Sequence, residues 1–176
     1  MSILAPKRFK VIKQGELDCF CGLYCLAMLL WNFAGDESPQ LGRWVDWHRH
    51  SGMRGFSTRK LTELCRGDRK LRTLGMDRVT DGDLARYEYG IAMIATAFAG
   101  SDKRHTHYVV FFHCRGRIYI ADPHPERSRK AQLLEKTSFL EDWNIEKKSA
   151  QLAYGQDRYW PGPGWAIGRR FPNRLK

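Results

Sequence analysis

The chain has 176 residues, 43% apolar and 12% aromatic, with 30 Lys and Arg against 19 Asp and Glu for a formal charge of +11. The length suits a single domain with a sizeable core, the apolar share excludes a mainly disordered chain, and the order of predicted helices and strands makes that domain α+β. No stretch reaches the roughly 18 uninterrupted apolar residues of a membrane helix. Met1 to Lys13 holds four cations around Pro6 without the apolar centre of a secretory signal, so the expected location is cytoplasmic, with later export as an effector left open.

The elements follow in chain order. A basic N-terminal segment, 1–13, leads to Gln14. Leu23, Leu26, Ala27 and Leu30 share one helical face, and Gly35 and Pro39 follow, so the spacing predicts a helix from about Gly22 to Phe33. A short helix is expected around Trp44, Val45 and Trp47. Ser57 and Thr58, after Gly55-Phe56, offer an N-cap for a helix from about Arg59 to Arg66, with Leu61, Leu64 and Cys65 as its apolar stripe. A third helix is expected to begin after Asp81-Gly82-Asp83 and to end at Gly90.

From Ile91 the pattern turns to β-compatible runs, Ile91 to Phe98, His107 to His113 and Arg117 to Ala121, the last two joined as a tight hairpin through Cys114-Arg115-Gly116. Helices gathered early and antiparallel strands gathered late imply a helix packed on the face of a sheet. The expected core spans about 14–143. Beyond it, 144–176 is a Trp/Gly/Pro-rich C-terminal extension, whose Pro and Gly exclude a regular helix until Trp165 and which is expected to strap across the domain or to meet a partner.

The excess cations are dispersed, in modest groups at Lys7 to Lys13, Arg66 to Arg72, Arg127 to Lys130 and Arg169 to Lys176. They read first as a solvated basic face. Net charge favours attraction to an acidic partner or an anionic surface without naming a function. Five cysteines is an odd number, so a disulfide framework is not expected, and reduced thiols fit cytosolic synthesis.

Chemistry gathers around Cys21-Gly22 at the start of the first helix. The amide dipoles of a helix N-terminus and a neighbouring imidazolium both favour a thiolate, and the glycine is expected to leave room for substrate above the sulfur. Cys19 and Cys25 lack that end-on placement, and all three fit equally the alternative of small core-filling residues. Cys19, Cys21, Cys25, His105 and His107 would also suffice for zinc, but the cysteine spacing is not a common structural one. Neither metal nor cofactor is expected.

His107, opening an apolar strand, is the candidate general base, with His105 two residues away and not separable from it by spacing. Asp122 ends the second strand of the hairpin and returns beside the start of the first, where it can accept the imidazole N–H and fix the tautomer. As an alternative, Asp122-Pro123 is an ordinary strand-ending turn. Gln14, a short loop before Cys21, can aim its amide with the Cys21 backbone N–H at a developing oxyanion.

The runs Gln14 to Leu30 with Cys21-Gly22, His107-Tyr-Val-Val and Ile120-Ala-Asp122-Pro resemble the papain-like peptidases that trim double-glycine leaders from bacteriocins, and their free-standing bacterial relatives. Gly55-Phe-Ser-Thr and Phe139-Leu-Glu-Asp-Trp143 extend the likeness, which covers roughly Gln14 to Trp143. It implies a papain-like fold and a Cys21, His107, Asp122 triad with Gln14 as the oxyanion residue, acting on a peptide or protein substrate. Here Gln14 precedes Cys21 by seven residues, where that family usually has six. The same fold also hosts glutamine deamidases and acyltransferases, and cell-wall amidases are a further hydrolytic option. The non-catalytic alternative is a peptide- or nucleic-acid-binding module, motivated by the charge and the six tryptophans. The presence of all four candidate residues disfavours it, and nucleic acid is not the expected partner.

Overall fold

The structure, a computed structural model, describes residues 5–14, 20–39, 44, 58–79, 83–97, 104–137, 139 and 166–172. Among these residues the helices are α1 (Cys21–Ala34), α2 (Thr58–Gly67) and α3 (Arg69–Arg72). The strands are β1 (Asp77–Arg78), β2 (Tyr87–Ala97), β3 (Arg104–Cys114), β4 (Arg117–Ala121), β5 (Gln132–Leu133) and β6 (Ala166–Arg170). They form one antiparallel sheet in the order β1-β6-β2-β3-β4-β5. The fold is mixed α+β, a helix laid on an antiparallel sheet. No helix of the described residues is long and apolar enough to cross a membrane.

Cys25, Leu26, Ala27, Met28 and Leu29 are all fully buried, so α1 is a central helix rather than an amphipathic one, and a single apolar face understates it. Each leucine so placed contributes about 1.5–3 kcal/mol. Tyr89, Ile91, Met93, Tyr108, Val110 and Phe112 form the sheet's half of this core. On the opposite side Ala92, Ile94, Val109 and Phe111 cluster with Ile120, Leu134 and Phe139. Gly35, in the left-handed region at φ 69°, ends α1, where its N–H and that of Asp36 both bond the Leu30 carbonyl.

The N-terminal segment is stitched into this framework. Phe9 is buried and stacks on Phe112, with ring centroids 4.4 Å apart. The Lys10 N–H and carbonyl bond the Asn32 side-chain amide at 2.8 and 3.0 Å, fixing the segment to the last turn of α1.

The helix expected between Asp83 and Gly90 does not form. A 3-10 turn, Leu84–Arg86, starts where the Asp83 side chain accepts from the Ala85 N–H, and β2 has begun by Tyr87. Tyr87 and Tyr89 bury their rings in different clusters, with a register shift between them. Gly90 is a crossing point rather than a helix stop: a Cβ there would meet the Ile167 carbonyl oxygen at 2.1 Å and the Phe111 ring at 2.6 Å.

That close neighbour belongs to β6, in the segment the sequence leaves outside the core. Ala166, Ile167 and Gly168 pair with Ala92, Ile91 and Gly90, and Ala166 and Ile167 are buried. Part of the C-terminal extension is thus an interior strand. The hairpin between β3 and β4 turns on Arg115 and Gly116, both at positive φ, as a two-residue turn requires. α3, which the sequence does not announce, is capped by Asp68, whose carboxylate also accepts the Trp44 indole N–H at 3.3 Å. The expectations at Trp47, Gly55, Ser57 and Trp143 lie outside the described residues.

Candidate active site

Cys21 is the first residue of α1, and no side chain caps that end. Leu23 and Tyr24 direct their N–H groups to the Phe20 carbonyl, so the turn is closed by backbone and its amides face the sulfur's end of the helix. Gly22 turns its missing side chain toward the packed interior. It is buried, and a Cβ on it would touch Tyr108 at 3.2 Å and Leu61 at 3.3 Å, so its smallness lets α1 settle between β3 and α2.

From the sheet comes His107, only 3% exposed and paired across from Ile94 in β2. The strand starts at Arg104, so the histidine sits within it rather than at its opening. Its Nε2 lies 2.7 Å from Asp122 Oδ1. Cys21 stands close enough to the same imidazole for its sulfur to favour the charged ring as an acceptor, and Nδ1 is the nitrogen that Asp122 leaves open. Burial alone would lower the His107 pKa, but the bonds to Asp122 and Cys21 outweigh it and lift the pKa to about 9. Asp122 responds in the opposite sense: burial pushes it up, and the His107 bond, the His107 charge, the His124 N–H and Arg127 together hold it below the usual carboxylate value. Imidazolium and carboxylate are therefore the favoured forms at neutral pH.

The loop after β4 is pinned from several sides. The His124 N–H donates to Asp122 Oδ1 at 2.8 Å, an Asx turn around Pro123. Arg127 Nε stands 4.0 Å from the other oxygen, Oδ2. The His124 ring lies edge-on to His107, centroids 5.9 Å apart, and burial together with the His107 charge lowers its pKa.

The N-terminal segment meets this loop at three consecutive carbonyls. The Lys13 ammonium donates to the carbonyls of Asp122 and His124 at 2.8 and 2.7 Å, and the Gln14 N–H donates to that of Pro123 at 2.9 Å. Burial and Arg129 lower the Lys13 pKa, while Asp122 acts against them. Gln14 is thereby tied to the backbone on either side of which Asp122 and His124 stand.

The structure thus brings Cys21, His107 and Asp122 together, with His107 hydrogen-bonded to Asp122, and attaches Gln14 to the loop that carries Asp122. Between the two candidate histidines, the contacts to Cys21 and Asp122 fall to His107; the His105 side chain lies outside the described residues, as does Cys19. Cys25 is separated from this group: its thiol is fully buried, donates to the Tyr108 carbonyl at 3.3 Å, and is pushed well above its usual pKa by burial and by the charges of Cys21 and Asp122. In the sequence Lys13 and Arg127 stand only as members of basic groups and His124 as a loop residue. The one available signal was Asp122-Pro123-His124, a turn whose central proline leaves its flanking carbonyls open to a donor.

Such an arrangement can hold a polarised sulfur against a protonated ring nitrogen, with the other ring nitrogen fixed by a carboxylate. No protein-family model matches the chain, and no curated protein matches it either.

Proposed function

We propose that the chain is a papain-like cysteine hydrolase acting on a peptide or isopeptide bond, similar to the bacteriocin-leader peptidases and their free-standing relatives. What supports this reading is the His107–Asp122 hydrogen bond with Cys21 beside the same ring, in which a helix from the first part of the chain and a hairpin from the second contribute complementary groups.

In this mechanism the Cys21 sulfur attacks the carbonyl carbon, and the oxyanion is met by the Cys21 backbone N–H and the Gln14 amide. The His107 imidazolium gives its proton to the leaving amine as the C–N bond breaks, which leaves a thioester on Cys21. Water then adds to that thioester, with His107 taking one of its protons and returning it to the sulfur. Asp122 holds the ring orientation and stabilises its charged form throughout.

The test is labelling of wild type and Cys21→Ala by a thiol-directed acyl probe, with mass spectrometry of peptides incubated with each. Labelling and cleavage that both vanish in Cys21→Ala support the reading. Labelling that persists removes Cys21 as nucleophile. A deamidated or amine-adducted product in place of two fragments would move the chemistry to glutamine deamidation or acyl transfer.

A further inference from the structure

Asp122 is also part of the wall of a 260 Å³ cavity beside the candidate active site. Its apolar lining comes from Ile94, Val109, Ile120 and Phe139, the sheet face turned away from α1. Three cations, Arg127, Lys130 and Lys136, share the wall with one carboxylate, Asp122, whose charge is already engaged by His107 and approached by Arg127. Among the described residues the cavity therefore combines an apolar surface with two lysines that form no ion pair, Lys130 and Lys136. At 260 Å³ it falls below the roughly 300–1,000 Å³ of sites that enclose whole small molecules.

We propose that this cavity is a specificity subsite for a glutamate side chain of the peptide substrate, an inference that rests on the cysteine-hydrolase reading. The methylenes lie on the Ile94, Val109, Ile120 and Phe139 surface, and the carboxylate is met by Lys130 and Lys136. Asp122 borders both His107 and the cavity, which puts the subsite next to the candidate catalytic groups. The overall positive charge then has a local purpose at this wall, steering acidic peptides towards the imidazole.

The experiment uses the full chain and hexapeptide pools with glutamate, or its neutral isostere glutamine, fixed at each position in turn. Cleavage of the pools is read for wild type and the Lys130→Gln/Lys136→Gln double variant. Binding of fluorophore-labelled pools is read by anisotropy on Cys21→Ala protein, with and without the double substitution. At one position the glutamate pool is expected to bind and react roughly two- to thirtyfold better than the glutamine pool, the range for two partly exposed ion pairs. The double variant should lose that preference, and a thermal unfolding transition equal to that of wild type shows that it is folded.

Equal treatment of the two pools, or a preference that survives the double substitution, overturns the subsite. Cys21-dependent cleavage without glutamate preference removes the subsite alone. Lysine-dependent glutamate binding by a protein that cleaves nothing sustains the cavity as an acidic-peptide site and removes the hydrolase.

Discussion

Lys13 and Asp122 are joined through the backbone: the Lys13 ammonium donates to the Asp122 carbonyl at 2.8 Å, and reaches His124 beyond it at 2.7 Å. A cation from the N-terminal segment thereby clamps the loop whose carboxylate holds His107. The Lys13→Met variant keeps the aliphatic stem and removes the donors. Its expected effect is a fall in kcat of roughly ten- to hundredfold, since small displacements of a reacting group are costly, with KM little changed and stability reduced by about 1–2 kcal/mol. Steady-state kinetics and urea denaturation of the variant check this.

The His107–Asp122 pair makes stability depend on pH in a defined window. His107 is raised to about 9, so its contribution is complete below the ordinary 6.5 and is lost as pH rises through about 9. Asp122 is held below the ordinary 3.8, so its contribution is present above that value and is lost as pH falls through the depressed one. Between 3.8 and 6.5 both are in force. His107→Gln should lose on the order of 2–3 kcal/mol there, and the gap should narrow as pH passes about 9. Denaturation curves across the range, with the alkaline limb of kcat/KM expected near the same upper value, read this out.

The thiols should separate by reactivity. Cys25 is buried, bonded to Tyr108 and pushed well above its usual pKa, and burial pushes Cys65 up to about 12. Brief alkylation of the native protein followed by peptide mass spectrometry should leave both unmodified while Cys21 is labelled. Cys25→Ala should keep the Cys21 label and cost about 1 kcal/mol.

Gly90→Ala should be far more damaging than an exposed strand substitution. The added methyl would fall 2.1 Å from the Ile167 oxygen and 2.6 Å from the Phe111 ring, and the first of these is backbone that cannot rotate away. A loss of about 3 kcal/mol or more is expected. Guanidinium denaturation of the variant measures it, and Gly35→Ala, where a Cβ would meet nothing within 4 Å, should cost only the roughly 1 kcal/mol of its left-handed backbone.

What the sequence disclosed was local. A long apolar run bounded by Gly35 announces α1, and Arg115-Gly116 between apolar alternations announces the β3–β4 hairpin, because each signal lies inside the element it specifies. The approach of Asp122 to His107 follows from that hairpin. The start of β2 is masked in the sequence because Asp83 resembles a helix cap and Gly90 a helix stop, while the reason for Gly90 lies in Ile167, far along the chain. Lys13 was equally opaque: its partners are more than a hundred residues away, and nothing near it in sequence marks a clamp. His107 could be separated from His105 only by side-chain contacts, which equal spacing from the same strand does not supply.

The placement of β6 sets the order in which the molecule can be made. Its residues 166–170 pair between β1 and β2, so one side of β2 stays unpaired during translation until Arg170 has cleared the ribosome. The sulfur at residue 21 emerges early and waits for a scaffold completed late. Among the described strands the β2 edge is thereby the last to find its partner, and the timing is set by the path of the polypeptide itself.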